Sequence, residues 1–224
     1  MTLSARFEVP ALQAPEEQGE YEVYAKGPLH RDDWVVRFDA CESRRAVEYR
    51  WTVEGESAGV TADCDGFEHA FPGEGVYSVS LVVADEAGEE ESTTSDVEVR
   101  DLLIFGVGDS YGSGEGNPDV EVVDDADAQW QNLRCHRSAL SGQVLAAQQL
   151  EEADPHTSVT FVHLACSGGR VYEGLLDTYE GIVPDEDGGV AEPQIEVVAE
   201  LADGHEIDAL FVSIGGNDIN FSDV

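Results

Sequence analysis

Lysine is nearly absent from this sequence of 224 residues, and cations of any kind are few. The chain has 11 Lys and Arg against 48 Asp and Glu, which gives a formal net charge of −37. So few cations do not form the continuous basic surface that nucleic-acid binding requires, and an anionic membrane surface would repel the chain. We therefore predict no nucleic-acid partner.

Long apolar runs are also missing from the sequence. No segment reaches the roughly 20 apolar residues that cross a bilayer, so we predict no membrane span. Residues 1–19 contain no apolar stretch of the kind that forms the centre of a signal peptide. An export signal is therefore not visible in this sequence.

The rest of the composition is that of a folded protein. The hydrophobic share of 42% and the aromatic share of 8% are typical of a globular chain, and the length allows one large domain or two modest ones. The charge is spread over the chain, with a net −15 in residues 1–100 and −22 in residues 101–224. A composition with scarce lysine and abundant Asp and Glu resembles that of proteins from salt-loving organisms. In such proteins, salt screens the repulsion between surface charges.

Four cysteines, Cys41, Cys64, Cys135 and Cys166, fall two in each half of the chain. No Cys-x-x-Cys spacing occurs, which argues against a zinc knuckle or a thioredoxin-like motif. The even count suggests two local disulfides, Cys41–Cys64 and Cys135–Cys166, and hence an extracellular or cell-surface protein. The alternative is four reduced and buried thiols.

Residues 1–20 are interpreted as a leader or edge segment, and strand patterns dominate residues 21–100. Tyr77, Val79, Leu81 and Val83 alternate with smaller or polar residues and so share one face of a strand. A turn at residues 85–88 lets residues 93–99 pair back as a hairpin. Further short strands are predicted at residues 34–38 and 49–53. Short strands at this spacing predict a small β-sandwich.

Three motifs in this part carry a family resemblance. They are Tyr49-Arg50-Trp51, Phe67-Glu68-His69-Ala70-Phe71 and Gly73-Glu74-Gly75-Val76-Tyr77-Ser78-Val79. Together they resemble a repeat of the polycystic-kidney-disease (PKD) type, over residues 21–100. The resemblance implies a spacer or adhesion module without chemistry of its own.

After Arg100 the pattern changes to alternating strands and helices. Continuous apolar runs predict strands at residues 102–107, 159–165 and 207–214, and helical spacing predicts helices at 138–151 and from Pro193 to Gly204. This order is typical of a parallel sheet with right-handed crossovers. Ligands of such sheets bind beyond the carboxyl ends of the strands.

Each predicted strand is followed by small and polar residues. The three segments are Gly108-Asp109-Ser110-Tyr111-Gly112, Cys166-Ser167-Gly168-Gly169 and Gly215-Gly216-Asn217-Asp218. A serine on a tight turn exposes its hydroxyl for attack, while glycine N–H groups and an asparagine amide can donate to a developing oxyanion. These segments are the candidate site.

In order and spacing, the three segments resemble the first three blocks of the SGNH (GDSL-type) hydrolases, and look most like the secreted bacterial lipase and esterase branch. The resemblance covers residues 101–224. It implies a flavodoxin-like α/β/α fold and the hydrolysis of a lipid ester, a short-chain ester or an acylated glycan, without a cofactor. It makes Ser110 the nucleophile, with the Ser110 N–H, Gly168 and Asn217 as oxyanion donors. In that branch a disulfide joins the equivalents of Cys135 and Cys166.

The sequence departs from the family pattern at its end. The family's catalytic Asp-x-x-His block does not occur between Asn217 and Val224. We therefore expect a partial sequence whose catalytic histidine and aspartate lie beyond it, and little turnover by this chain alone. Four other histidines of this half, His136, His156, His163 and His205, do not follow the strand ends, and His163 is predicted to be packed in its strand.

The same half of the sequence admits other interpretations. Gly106-Val107-Gly108 resembles the start of a dinucleotide-binding loop, but the third glycine of that motif would fall on Tyr111. Asp109 and Asp218 fit turn or capping roles better than a metal site. The acidic segments 124–127 and 185–189 lack EF-hand spacing and are interpreted as solvated loops, so we predict no metal. The rival function is a secreted binding or adhesion protein with an inactive hydrolase fold.

Overall fold

The computed structural model describes residues 4–6, 16–18, 21–24, 29, 34–120, 128–153, 158–184 and 189–219. The elements in chain order are β1 (Ser4–Arg6), β2 (Glu16–Gln18), β3 (Tyr21–Tyr24), β4 (Trp34–Asp39), β5 (Glu48–Val53), β6 (Glu56–Thr61), β7 (Phe67–Phe71), β8 (Gly75–Ala84), β9 (Glu90–Val99), β10 (Asp101–Gly108), α1 (Ser110–Ser113), α2 (Gly142–Ala153), β11 (Ser158–His163), α3 (Gln194–Ala202), β12 (Ala209–Ser213) and a 3₁₀ turn (Asn217–Ile219).

The chain divides into two compact units. The first unit comprises Met1–Val9, His30–Asp101 and Asp154–Ser158, and the second comprises Pro10–Leu29, Leu102–Ala153 and Val159–Val224. Within the described helices, none is long and apolar enough to cross a membrane.

The first unit is a β-sandwich of two antiparallel sheets. One sheet has the strand order β1-β4-β7 and the other β6-β5-β8-β9. The core between them contains Trp51, which is 1% exposed and stacks on Phe67 with 4.8 Å between ring centroids. Val79, Leu81 and Val83 of β8 are buried in the same core. The period-two pattern therefore predicted the inward face of β8 correctly, because only an apolar alternation buries one face of a pleated strand.

A strand that the sequence analysis did not predict, β6, pairs with β5 across a tight turn. Glu54 and Gly55, the two turn residues, have φ values of 51° and 80°. Positive φ at both central residues is the geometry of a type I′ hairpin turn, whose twist matches that of the flanking strands. The Cys41–Cys64 disulfide, predicted from the cysteine count, also lies in this unit, with 4.8 Å between the Cα atoms.

The second unit is built on a five-stranded sheet of order β12-β10-β11-β3-β2. β10 and β12 run parallel, with Gly108 opposite Ser213 at their carboxyl ends. Val198 of α3 packs against Leu103, Phe105 and Val107 of β10. Val144 of α2 packs on the opposite face of the sheet, in a cluster that includes Ile104 and Phe161.

The sheet is mixed, whereas the sequence predicted a parallel one. β3 pairs antiparallel with β11, and β2 pairs antiparallel with β3. The predicted boundary of the sandwich at residue 21 also differs from the structure, since residues 21–24 belong to the second unit. The physical reason is that Val23 and Tyr24 each join a core cluster of this unit. Buried Glu22 forms an ion pair with buried Arg137 of the same unit.

The other predicted elements of this unit are confirmed, with shifted ends. The helix predicted from residue 138 starts at Gly142 as α2, because Ser138 and Ser141 form a turn before it. The Ser141 hydroxyl accepts a hydrogen bond from the Val144 N–H at 3.2 Å, as an N-cap does. The Cys135–Cys166 disulfide is formed, with 4.3 Å between the Cα atoms.

Candidate active site

Ser110 is the first residue of the one-turn helix α1, directly beyond the carboxyl end of β10. The preceding residue, Asp109, is 2% exposed and caps this helix, since its carboxylate accepts a hydrogen bond from the Tyr111 N–H at 3.1 Å. Ser110 itself is half-buried. Asp109 thus has a capping role, as the sequence predicted, and its cap fixes the turn that carries the serine.

Gly108 brings β10 and β12 close together just before the serine. Its φ is +145°, and a Cβ at this position would lie 2.0 Å from the Ser213 carbonyl oxygen. The Asp109 N–H donates to the same oxygen at 2.7 Å. A side chain at residue 108 is therefore excluded by backbone atoms, which do not move aside.

Gly168 lies in the loop after β11, with a left-handed φ of +81°. A Cβ here would lie 2.2 Å from the Tyr179 hydroxyl, so a side chain at this position would have to displace that hydroxyl. Burial, with a contribution from Glu173, raises the pKa of Tyr179, so the phenol stays neutral to a higher pH than a free tyrosine does. The loop is tied to β10, because the Cys166 N–H donates to the Gly108 carbonyl at 3.0 Å.

Asn217 lies in the 3₁₀ turn that follows β12 and is half-buried. Its Nδ2 donates to the Gly169 carbonyl at 2.8 Å, which joins the third loop to the second. The neighbouring Asp218 accepts a hydrogen bond from the Val171 N–H at 3.1 Å. Asp218 therefore connects two loops.

The three segments meet at one end of the sheet. Ser110 and Asn217 both line a cavity of about 610 Å³, whose apolar wall includes Tyr111, Leu140 and Leu145. Gly168 is adjacent to Gly169, the residue that Asn217 contacts. Within the described residues, no hydrogen bond is made by the N–H groups of Ser110 and Gly168. The structure thus brings Ser110 and Asn217 to one cavity and bonds Asn217 to the loop of Gly168.

The described histidines of the second unit bond to residues other than Ser110. His136 stacks on Trp130 with 3.7 Å between ring centroids, and its Nδ1 lies 2.8 Å from a Glu115 carboxylate oxygen. His205 is exposed. His163 is fully buried in β11, and its Nε2 lies 3.0 Å from the Gly112 carbonyl oxygen. The prediction that His163 is packed in its strand is confirmed. His156 lies outside the described residues.

Among the residues that the structure describes, one group of three side chains has the spacing of metal ligands: Cys41, Cys64 and Asp65. Both sulfur atoms of this group form the disulfide, so they do not bind a metal as thiolates. The acidic residues 124–127 and 185–188 lie outside the described residues.

Two buried glutamines at the strand ends were not singled out in the sequence. Gln143 Nε2 donates to the Val107 carbonyl at 3.0 Å, and Gln194 bonds the backbone of Gly108. Both residues stand at the start of helices, where a polar residue normally faces solvent. The sequence carries no periodic signal for them, because their partners lie 36 and 86 residues away.

Comparison with known protein families identifies the first unit. The family model described as PKD domain matches residues 29–100. The PKD-like resemblance of the sandwich is therefore confirmed. Ser110 and the segment around it lie outside the matched residues. No curated protein matches the chain. A PKD domain together with two disulfides is consistent with an extracellular protein.

Proposed function

We propose that the second unit belongs to a serine ester hydrolase of the SGNH type, which works through an acyl-enzyme. Ser110 is the nucleophile, and the Ser110 N–H, the Gly168 N–H and the Asn217 amide form the oxyanion hole. The observation that carries the proposal is the convergence of three distant segments. Ser110 and Asn217 line one cavity, and Asn217 is bonded to the loop of Gly168.

The sheet supports the same proposal. Of the strands after residue 100, the first, β10, lies between the second, β11, and the third, β12. The order second-first-third is that of the flavodoxin-like sheet, in which the crevice at the strand ends binds the ligand. α2 and α3 pack on opposite faces, as in that fold.

The proposed reaction has two steps. The Ser110 Oγ attacks the ester carbonyl and gives its proton to a general base, and the carbonyl oxygen becomes an oxyanion that accepts hydrogen bonds from the three donors. The alcohol then leaves with a proton, and water hydrolyses the acyl-serine. The described residues supply nucleophile and oxyanion donors. The base belongs to the Asp-x-x-His block that the family resemblance implies.

The electrostatics of the cavity disfavour an anionic substrate. Asp109 and Glu115 are among the residues that line it, and no Lys or Arg is among the described lining residues. The chain carries a net charge of −37, which repels anionic esters. We propose a neutral lipid ester, a short-chain ester or an acylated glycan, and the PKD domain favours a polymer or a surface glycan. Export to the extracellular space or cell surface is part of this proposal.

A fluorophosphonate probe tests the nucleophile in the full-length gene product. We expect the probe on Ser110, found by peptide mass spectrometry, because this reagent phosphonylates activated serines. Labelling is lost in Ser110→Ala and falls about 10²–10³-fold in Asn217→Ala, the cost of one oxyanion donor. Ser92→Ala is the control, because Ser92 is an exposed serine of β9 in the sandwich. Labelling that persists in Ser110→Ala assigns the nucleophile wrongly.

For the chain of 224 residues alone we predict little or no esterase turnover, because no histidine in its described part is bonded to Ser110. The measurement is the hydrolysis of p-nitrophenyl acetate. Rapid cleavage that Ser110→Ala abolishes would contradict this prediction and would show that the base lies within residues 1–224.

The PKD domain supports a second candidate, a secreted binding or adhesion protein with an inactive hydrolase fold. The two functions differ in the reactivity of Ser110. A full-length protein without an Asp-x-x-His block, without labelling and without ester hydrolysis would favour the binding protein.

A further inference from the structure

Gln194 is the first residue of α3, and the residue is only 4% exposed. The side-chain amide reaches the carboxyl end of β10 and makes two hydrogen bonds there. The Gly108 N–H donates to Gln194 Oε1 at 2.7 Å, and Gln194 Nε2 donates to the Gly108 carbonyl at 3.0 Å. One side chain therefore holds both polar backbone groups of Gly108.

The pairing between β10 and the chain after β11 is irregular at this point. The N–H groups of Leu164 and Ala165 both donate to the Gly106 carbonyl, at 2.8 and 3.1 Å. Two residues thus face one, as in a bulge, and a bulge disrupts the ladder locally. The Gln194 amide offers one acceptor to the Gly108 N–H. Its Nε2–H is a second donor to the Gly108 carbonyl, which also accepts from the Cys166 N–H at 3.0 Å.

Gly108 has no side chain, so side-chain packing cannot fix its position. The two hydrogen bonds from Gln194 help to fix it. The Ser213 carbonyl oxygen excludes a Cβ at this position. The amide also lies beside the second loop, because a Cβ on Gly169 would be 3.8 Å from Gln194 Nε2 and 3.4 Å from the Gly108 carbonyl oxygen. Gln194 therefore stands where the loop of the nucleophile meets the loop of Gly168.

We propose that Gln194 is a positioning residue for the nucleophile: its amide fixes Gly108, two residues before Ser110, and so sets the distance between the serine and the Gly168 and Asn217 donors. This inference rests on the proposed function. Gln194 does not itself contact the reacting atoms. Its contribution is to keep the serine and two oxyanion loops in one arrangement, on which the rate depends steeply.

Two substitutions test this role in the full-length gene product. Gln194→Met keeps the length of the side chain and removes both hydrogen bonds. We expect the rate of Ser110 phosphonylation, and kcat for an ester, to fall about 10- to 100-fold with KM nearly unchanged, the effect of a small misplacement of reacting groups. Gln148→Met is the matched control, because Gln148 bonds Glu152 on the surface of α2 at 2.7 Å.

Gln194→Glu provides a pH signature that a loss of folding would not give. An ionised carboxylate accepts from the Gly108 N–H but has no proton for the Gly108 carbonyl, whereas the protonated acid makes both bonds. The charged or titratable groups around the adjoining small cavity are Tyr21, Arg137, Tyr179 and Glu192. We expect the rate of Gln194→Glu, divided by that of the wild type, to rise as the pH falls.

The outcomes separate the two proposals. If the wild type reacts at Ser110 and Gln194→Met reacts within about twofold of it, or if the Gln194→Glu ratio does not depend on pH, the positioning role is wrong and the nucleophile stands. If the wild type does not react at Ser110, the proposed function is wrong and the positioning role falls with it. A folded Gln194→Met, checked by circular dichroism, that reacts slowly supports the role.

Discussion

His163 shows at the scale of one residue how burial sets a charge state. The ring is buried, with its Nε2–H donated to the Gly112 carbonyl at 3.0 Å. Burial, followed by the nearby Arg137 charge, lowers the pKa of His163 to about 3. The residue therefore stays neutral in the folded protein at pH values where an unfolded chain binds a proton.

This difference predicts a loss of stability in acid. Between about pH 6.5 and pH 3 the unfolded chain holds one more proton at His163, so the free energy of unfolding falls as the pH falls. The loss between about pH 7 and pH 5 is about 2 kcal/mol. His163→Gln keeps a donor for Gly112 without titrating, so its free energy of unfolding by urea should fall by that much less.

His205→Gln is the control for this measurement, because His205 is exposed. Both series are measured by urea denaturation at the same high salt concentration. Equal pH dependence in the wild type and in His163→Gln would contradict the buried neutral histidine.

Gly168→Ala tests the backbone at the proposed oxyanion hole. The left-handed φ of +81° and the Tyr179 hydroxyl both oppose a methyl group. We expect a destabilisation of roughly 1–3 kcal/mol and loss of Ser110 labelling. Gly116→Ala is the control, because a Cβ at Gly116 meets nothing within 4 Å. Adding Tyr179→Phe to Gly168→Ala should restore part of the stability; no recovery would show that the hydroxyl is not the obstacle.

Single residues could be singled out from the sequence where they stand in a local motif. Ser110, Gly168 and Asn217 were singled out because each follows an apolar strand, and the structure brings their segments together. Gln194 was missed because its function depends on a partner 86 residues away, and the polarity of the residue gives no sign of burial.

At the scale of elements, the antiparallel edge formed by β2 and β3 is the main difference from the sequence prediction. The run Tyr21-Glu22-Val23-Tyr24 is short and contains a charge, so periodicity alone does not assign it to a sheet. Its place depends on β11, which it reaches across more than a hundred residues. The strands β4, β5, β8 and β10 were predicted because each carries its own apolar pattern.

Glu22→Gln tests this edge strand. The Glu22 carboxylate forms an ion pair with the Arg137 guanidinium, and both side chains are less than one-tenth exposed. Glu22→Gln removes the charged half of a buried ion pair and weakens the hold on the buried Arg137 guanidinium, so we expect a destabilisation of about 3 kcal/mol in urea denaturation. Glu90→Gln is the control, because its pair with Arg50 is exposed. A Glu22→Gln protein as stable as the control would show that β3 contributes little.

At the scale of the whole molecule, the net charge of −37 dominates. Repulsion among surface carboxylates opposes the compact state, and salt reduces it by shortening the screening length from about 10 Å at 0.1 M to about 3 Å at 1 M. The charge is spread over both halves of the sequence, so the effect belongs to the entire chain.

We therefore predict that the Tm rises with NaCl between about 0.1 M and 1 M, the range over which screening changes most. Scanning calorimetry measures the shift, and sucrose at matched osmolality is the control for general effects of solutes. A Tm that does not respond to salt would contradict the interpretation of the sequence as one adapted to high salt.

In the proposed site, the Ser110 hydroxyl and three hydrogen-bond donors from separate loops face one reacting atom. A crystal structure of the full-length protein phosphonylated by a fluorophosphonate measures this directly, because the phosphoryl oxygen marks the place of the oxyanion. We predict a bond from phosphorus to Ser110 Oγ, with the phosphoryl oxygen about 2.7–3.1 Å from the Ser110 N, the Gly168 N and Asn217 Nδ2. An adduct on another residue, or an oxygen directed away from Gly168 and Asn217, would contradict the account.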